Sequence, residues 1–426
     1  MLSYWVCHIK YNRIDVRMKR EYFFIILAVV STIPALTTRL AGIEVYPPLG
    51  ILIFGAGVVG AAFILSWAAE VAQKDISQNL AVVFFALVAI LPEYAVDLYF
   101  AWTAAKDPAY THYALANMTG ANRLLIGLGW PVVVFLYLLA HRKRGILLEK
   151  RRSIDIFWMT ACTLYGFSIV AKGTLTLIDA LILFSLFTIY VVQSARAGIV
   201  EPELIGPPAE IAKLPRPLRR TTTAVLFLFS AVAILGVAEP FAESLVASGS
   251  IIGIDEFFLV QWLAPLASET PEFVAVSLLV LKQYPSIALG VLISSKVNQW
   301  SLLVGAVPVV YIIGNLVLHG NFPWGIELDT RQMGEVLLTG AQGFFAVSML
   351  LNYHFRVREA FLLGFFFFGD VVTTITLEQT GHPNFISAFH YALSGLYILL
   401  GLGYFLSSWS FLPGLVKHTW QRASSR

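Results

Sequence analysis

Twelve times along the chain a run of about 20 mainly apolar residues appears, the length that carries an α-helix across the hydrocarbon core of a bilayer. The runs lie near 22–42, 48–72, 78–104, 112–140, 153–171, 174–193, 221–248, 254–281, 285–313, 332–351, 358–377 and 384–408. Inside lipid every backbone N–H and C=O must be satisfied within its own segment, so single spans of this length are helices. The chain therefore reads as an all-α polytopic membrane protein with about 12 transmembrane helices. Composition agrees, because 58% hydrophobic and 13% charged residues leave too little polar surface to cover a water-soluble core of 426 residues.

Basic residues orient the spans. With the N-terminus inside, 23 of the 29 Lys and Arg fall on one side, and only Arg39, Lys106, Lys172 and Arg331 fall on the other. The positive-inside bias thus sets both termini in the cytoplasm, and the cell membrane is the expected location. Residues 1–21 form a cytoplasmic tail and 22–42 a retained signal-anchor, too long in its apolar part for a cleaved signal peptide. Topology separates Cys7 from Cys162, so no disulfide is implied. The basic loops are topology signals, and no nucleic-acid partner is expected.

After the first span the sequence resembles itself at a separation near 175 residues. Ala69-Glu70 answers Ala238-Glu239, Pro92-Glu93 answers Pro271-Glu272, Asn122 with Gly129 answers Asn298 with Gly305, and Asp179-Ala180 answers Glu359-Ala360. Each unit, 48–193 and 221–377, holds five spans. Five is odd, so the copies sit upside down relative to each other, the inverted arrangement that places substrate sites near the midplane where the repeats meet. The proline-rich segment 194–220 is a cytoplasmic connector. Spans 22–42 and 384–408 lie outside the repeats as lipid-facing braces or an oligomer contact, and 409–426 is a cytoplasmic tail.

Chemistry concentrates in two stretches, Leu91-Pro92-Glu93-Tyr94-Ala95-Val96-Asp97 and Ala264-Pro265-Leu266-Ala267-Ser268-Glu269-Thr270-Pro271-Glu272. A carboxylate within a span costs roughly 2.5–3.5 kcal/mol on insertion scales, so such groups face a cavity, an ion or a partner charge. One Pro-Glu kink reads equally well as structure; two at matching repeat positions argue for function. Proline removes a helical hydrogen bond, so Pro92, Pro265 and Pro271 are expected to break or kink their helices and free carbonyl oxygens. Glu93 and Asp97 share one helix face, as do Ser268 and Glu272 beside Glu269. With Asn122, Asn298 and Ser294 on neighbouring spans, these residues supply the oxygen ligands that a hard cation such as Ca²⁺ requires.

The repeated Pro-Glu span, followed within about 30 residues by a span of small residues and Asn (Gly120-Ala121-Asn122-Arg123 and Ser294-Ser295-Lys296-Val297-Asn298), resembles the two alpha-repeats of the cation/calcium exchanger superfamily, the sodium/calcium exchangers among them. That resemblance implies ten core helices, a central Ca²⁺ site flanked by Na⁺ sites, and alternating access. It puts Glu93 and Glu272 in the place of the paired ligand glutamates and Asn122 and Asn298 opposite them. The family's hydroxyls before each glutamate are here Ala89 and Ile90 in the first repeat and Ser268 and Glu269 in the second. Sodium-binding hydroxyls are thus scarce in repeat one.

Two cations, Arg123 and Lys296, also lie within spans. Paired with site carboxylates, they would leave −2 of the −4 carried by Glu93, Asp97, Glu269 and Glu272, which suits one divalent ion with tethered cations in place of Na⁺; otherwise they neutralise carboxylates for stability alone. Glu70, Glu239 and Glu243 sit near helix ends, Asp370 lies deeper without an evident partner, and His112, His382 and His390 show no metal-ligand spacing. No phosphate loop or nucleophile elbow appears, so neither an ATP-driven pump nor an enzyme is indicated and no cofactor is implied. The expected function is a secondary antiporter moving Ca²⁺ or a related divalent cation against Na⁺ or H⁺. Its partners are the lipid bilayer and inorganic cations; oligomeric state is not legible. Two alternatives are H⁺ coupling through the carboxylates and transport of an organic cation on a lining of Tyr94, Tyr99, Trp102, Trp262 and Trp300.

Overall fold

The computed structural model describes residues 2–75, 91–197 and 204–424. Nearly everything in it is helix: α1 Leu2–Leu40, α2 Pro47–Ala72, α3 Leu91–Ala104, α4 Tyr110–His141, α5 Ser153–Lys172, α6 Leu177–Arg196, α7 Arg216–Ile252, α8 Glu256–Leu281, α9 Pro285–His319, α10 Thr330–Leu350, α11 Val357–Gln379, α12 Asn384–Ser407 and α13 Leu412–Ser424. Among the described residues eleven of these are long and apolar enough to cross a membrane. The expected span at 78–104 is described only as α3, and its earlier part lies outside the described residues. No Gly or Pro interrupts residues 2–33, so the expected N-terminal tail continues α1 instead of standing apart from it. The C-terminal tail likewise carries α13, which packs against α5 and α6.

Two three-residue ladders add the only strands among the described residues. β1 (Gly145–Leu147) pairs antiparallel with β4 (His354–Arg356), and β2 (Thr174–Thr176) pairs with β3 (Gly325–Glu327). β3 begins 180 residues after β1, and β4 begins 180 residues after β2. Exchanging the repeats therefore turns one ladder into the other. β1 follows α4 and β2 follows α5, so a single span separates them and the ladders lie on opposite faces of the membrane. The ladders tie the repeats together head to tail, and their placement requires inversion. Each of α4 and α9 also contains one π turn, Leu125–Gly129 and Gln299–Leu303, a feature frequent at functional sites.

The landmark pair Asp179 and Glu359 proves to be a capping device. Asp179 closes a capping box with Thr176 at the start of α6, and at the start of α11 Glu359 accepts from the Arg356 backbone N–H at 2.6 Å. Helix α10 is the innermost span, with 83% of its apolar window buried, whereas α1 is peripheral at 17%. Helix α12 is more than an outer brace: it lies along α10 and turns His390, Ser394 and Tyr397 inward.

The prolines of α8 do not break it. The helix runs unbroken from Glu256 to Leu281 through Pro265 and Pro271. Pro265 has no N–H for the carbonyl of Gln261, four residues earlier. That oxygen faces Gly120 of α4, where a Cβ would lie 1.9 Å from it. Glycine lets the two helices close directly over the freed carbonyl. Pro92 is the second described residue of α3, and the turn it would kink lies outside the described residues.

Candidate cation site

Four helices converge on the acidic stretches, α3 and α4 from the first repeat and α8 and α9 from the second; α8 packs along α4, and α3–α4 and α8–α9 are in contact. On α3, Glu93 and Asp97 stand one turn apart, 1% and 0% exposed. Asp97 Oδ1 accepts a hydrogen bond from Asn117 Nδ2 at 2.8 Å. Neither oxygen of Glu93 meets a donor; instead its carboxyl group meets that of Glu269 across the repeat interface. Glu269 accepts from Gln299 Nε2 at 2.6 Å and also meets Glu272, whose Oε1 accepts from Ser295 Oγ at 2.7 Å. Glu93, Glu269 and Glu272 thus form a row of neighbouring carboxyls whose charges act on one another.

Ionised carboxylates offer only acceptors. Holding them in contact away from water requires a shared proton or a cation beside them. The row is therefore suited to bind H⁺ and a hard cation in turn. Among the described residues no group of three His, Cys, Asp or Glu side chains is arranged to hold a metal ion as it stands. Asn122 is fully buried, donates Nδ2 to Met118 O at 2.8 Å and leaves Oδ1 without a donor. Asn298 stands on α9, 4% exposed, one residue before its π turn.

Two expected ligands have hydroxyl partners of their own. Ser268 spends its hydroxyl on the carbonyls of Ala264 and Pro265 in its own helix, at 3.3 and 3.2 Å. Ser294 bonds Tyr190 Oη at 2.6 Å, in a separate network with Asp155. The donors that serve the carboxyls are Asn117, Ser295 and Gln299, the last two each one residue beyond an expected ligand. A helix turns about 100° per residue, so that single step moves a side chain to another face. The signal was the paired serines at 294–295 and the paired amides at 298–299. Ala89 and Ile90 lie outside the described residues.

The two cations part company. Of the two readings of Arg123, the structure favours neutralisation of carboxylates away from the site: it bonds Glu335 Oε2 at 2.5 Å and Asp370 Oδ2 at 2.9 Å, with Trp262 5.0 Å from its guanidinium. One step round α4 from Asn122 aims it away from the carboxyl row towards α10 and α11. Lys296 stays at the site. It is fully buried, its Nζ lies 3.5 Å from the carbonyl of Asn122 and 4.6 Å from the Trp300 ring, and Glu93 is among its electrostatic neighbours. Among the described residues it makes no ion pair. The remaining acids are held locally: Glu239 by Arg39, Glu243 by Tyr99 Oη at 2.8 Å, and Glu70 by Ser66 Oγ at 3.4 Å. Outside the spans, a hydrogen bond from Arg219 holds the carboxyl of Asp75 down at about 2, with Arg220 adding a second.

A family profile described as Sodium/calcium exchanger protein matches residues 46–195 and 222–376. No curated protein matches the chain. Among solved structures, the crystal structure of the H⁺/Ca²⁺ exchanger CAX is 37% identical, covers 96% of this chain and 99% of its own, and superposes with a TM-score of 0.88. The Ca²⁺/H⁺ antiporter protein YfkE shares 14% identity over 90% of this chain and 99% of its own, TM-score 0.52. The sodium-calcium exchanger NCX_Mj shares 15% over 76% and 98%, TM-score 0.50. The last two are likenesses of fold.

Proposed function

The chain belongs to the sodium/calcium exchanger protein family, and from that membership and its carboxyl row, in which Glu93 and Glu269 are buried, we propose that it is a secondary antiporter exchanging Ca²⁺ for H⁺ by alternating access. The observation that carries the choice of counter-ion is the contact of Glu93 with Glu269 and of Glu269 with Glu272. Carboxyls in mutual contact exchange a bound proton for a divalent cation without rearranging neutral ligands. A Na⁺ site is built from such neutral oxygens, and hydroxyls are scarce in the first repeat, where Ala89 and Ile90 precede Glu93. The relative at 37% identity is itself named an H⁺/Ca²⁺ exchanger.

Charge counting supports the same reading. Arg123 is neutralised by its own partners, so Glu93, Asp97, Glu269, Glu272 and Lys296 carry −3 when all are ionised. One Ca²⁺ with one retained proton, or three protons, would cancel that charge, and a buried site is best kept near neutrality in both loaded states. The exchange is then two protons for one Ca²⁺. An organic cation is less suited, because the Trp262 and Trp300 faces already cover Arg123 and Lys296. Following the basic-residue distribution, we place both termini in the cytoplasm and the protein in the cell membrane.

Reconstituted protein should take up Ca²⁺ into proteoliposomes under an imposed pH gradient and not under a Na⁺ gradient of the same size. Uptake driven by Na⁺ alone would overturn the choice of proton, and uptake untouched by Glu93→Gln and Glu272→Gln would overturn the site.

A further inference from the structure

Behind the carboxyl row lies a second buried charge cluster that ion exchange does not require. His390 of α12 sits between two carboxylates: Nδ1 is 3.3 Å from Glu335 Oε1 on α10, and Nε2 is 3.2 Å from Asp370 Oδ1 on α11. The other oxygens of the same two carboxylates hold Arg123 of α4. Thr374 of α11 lies 3.3 Å from Nε2, and Gln261 of α8 donates to Glu335 Oε2 at 2.9 Å. Arg123, Glu335, Asp370 and His390 are each 4% exposed or less.

Of the two ring nitrogens only Nε2 has a hydrogen-bond partner, the Thr374 hydroxyl; Nδ1 and Asp370 Oδ1 are buried without one, so with both carboxylates ionised polar atoms of this cluster are left unsatisfied. The ring of groups would also hold one Arg cation against two carboxylates, an uncompensated buried charge. Adding one proton, on the imidazole or on a carboxyl, removes both faults. We propose that the Glu335–Asp370–His390 cluster is a second proton-binding site, separate from the carboxyl row, whose occupancy sets the transport rate. Its link to the row is mechanical. Arg123 is the next residue after Asn122 on α4, and Gln261 lies two turns before Glu269 on α8, so two of the four helices at the site are anchored on this cluster. Losing the proton weakens the anchor by leaving its carboxylates in excess.

The inference rests on Ca²⁺ as cargo but not on H⁺ as counter-ion, so its test uses Ca²⁺/Ca²⁺ exchange. Radiolabelled Ca²⁺ exchange across proteoliposomes is followed at equal pH on both sides, from about pH 5 to 8, where histidine side chains change charge. Wild type should show a step in rate of about fivefold or more, the scale of ordinary coupling between sites. His390→Gln should lose that step, and His390→Arg, charged at every pH, should hold the acid-side rate throughout. A His390→Gln profile that superimposes on wild type after scaling would overturn the proposal and leave the histidine a packing residue. If neither variant folds, Thr374→Val, which removes the hydroxyl beside Nε2 at little change in volume, should displace the step along the pH axis; an unmoved step would overturn the proposal equally. Wild-type protein without Ca²⁺/Ca²⁺ exchange would count against Ca²⁺ as cargo instead.

Discussion

Arg123 and Lys296 look alike in the sequence, two cations inside apolar spans, and the fold uses them differently. Arg123 holds Glu335 and Asp370 at a distance from the carboxyl row, whereas Lys296 lies beside Asn122 within reach of Glu93. Replacing Arg123 with Met strands two buried carboxylates and should cost about 3–5 kcal/mol of stability. Thermal melting of the purified protein reads that loss, and whatever folds should keep its ion selectivity. Lys296→Met removes a fixed charge from the site and should let a Na⁺ gradient drive Ca²⁺ uptake; uptake that stays strictly proton-driven would show that the lysine has no part in selectivity. The acidic residues of the site were legible because a carboxylate in a span demands a reason. Their donors were not, since choosing Ser295 over Ser294 depends on the rotation of α9 about its axis, which neither hydropathy nor motif spacing fixes.

At the level of elements, the repeat was legible from its landmarks, but what each landmark does was not. Asp179 and Glu359 cap helices, whereas the Pro-Glu and Asn landmarks fall on the helices that converge at the candidate site. The prolines of α8 were expected to break or kink it and to free carbonyl oxygens; the helix is not broken, and Gly120 closes over the carbonyl that Pro265 leaves free. Alanine in place of a helical glycine normally stabilises by up to about 1 kcal/mol. Here the added methyl would meet the Gln261 oxygen, so Gly120→Ala should destabilise by about 1–3 kcal/mol, the cost of overpacking. A raised melting temperature would contradict the close approach of α4 and α8. Helix α12 shows the limit of reading by repeats: it belongs to neither copy, yet it brings His390 against Glu335 and Asp370, a contact between residues far apart in the chain.

Over the whole molecule, two inverted halves are joined by the β ladders on both faces and by ionic latches near the ends of spans. On the face assigned to the cytoplasm, Asp75 after α2 accepts from Arg219 at the start of α7 at 2.8 and 2.9 Å. Its carboxyl is held at about 2, below the ordinary aspartate value, first by that hydrogen bond. A depressed folded-state value means that the latch contributes stability above the unfolded pKa, near 4, and loses it as pH falls towards 2. Asp75→Asn should therefore lower stability at neutral pH and flatten the loss between about pH 4 and 2, as followed by acid unfolding of the solubilised protein. The central claim is that Ca²⁺ and protons compete for Glu93, Glu269 and Glu272, and proton release on Ca²⁺ binding tests it most directly. Ca²⁺ added to weakly buffered, purified protein should release about two protons per ion bound, and Glu93→Gln should sharply reduce both binding and release; Ca²⁺ bound by wild type with no proton released would contradict the account.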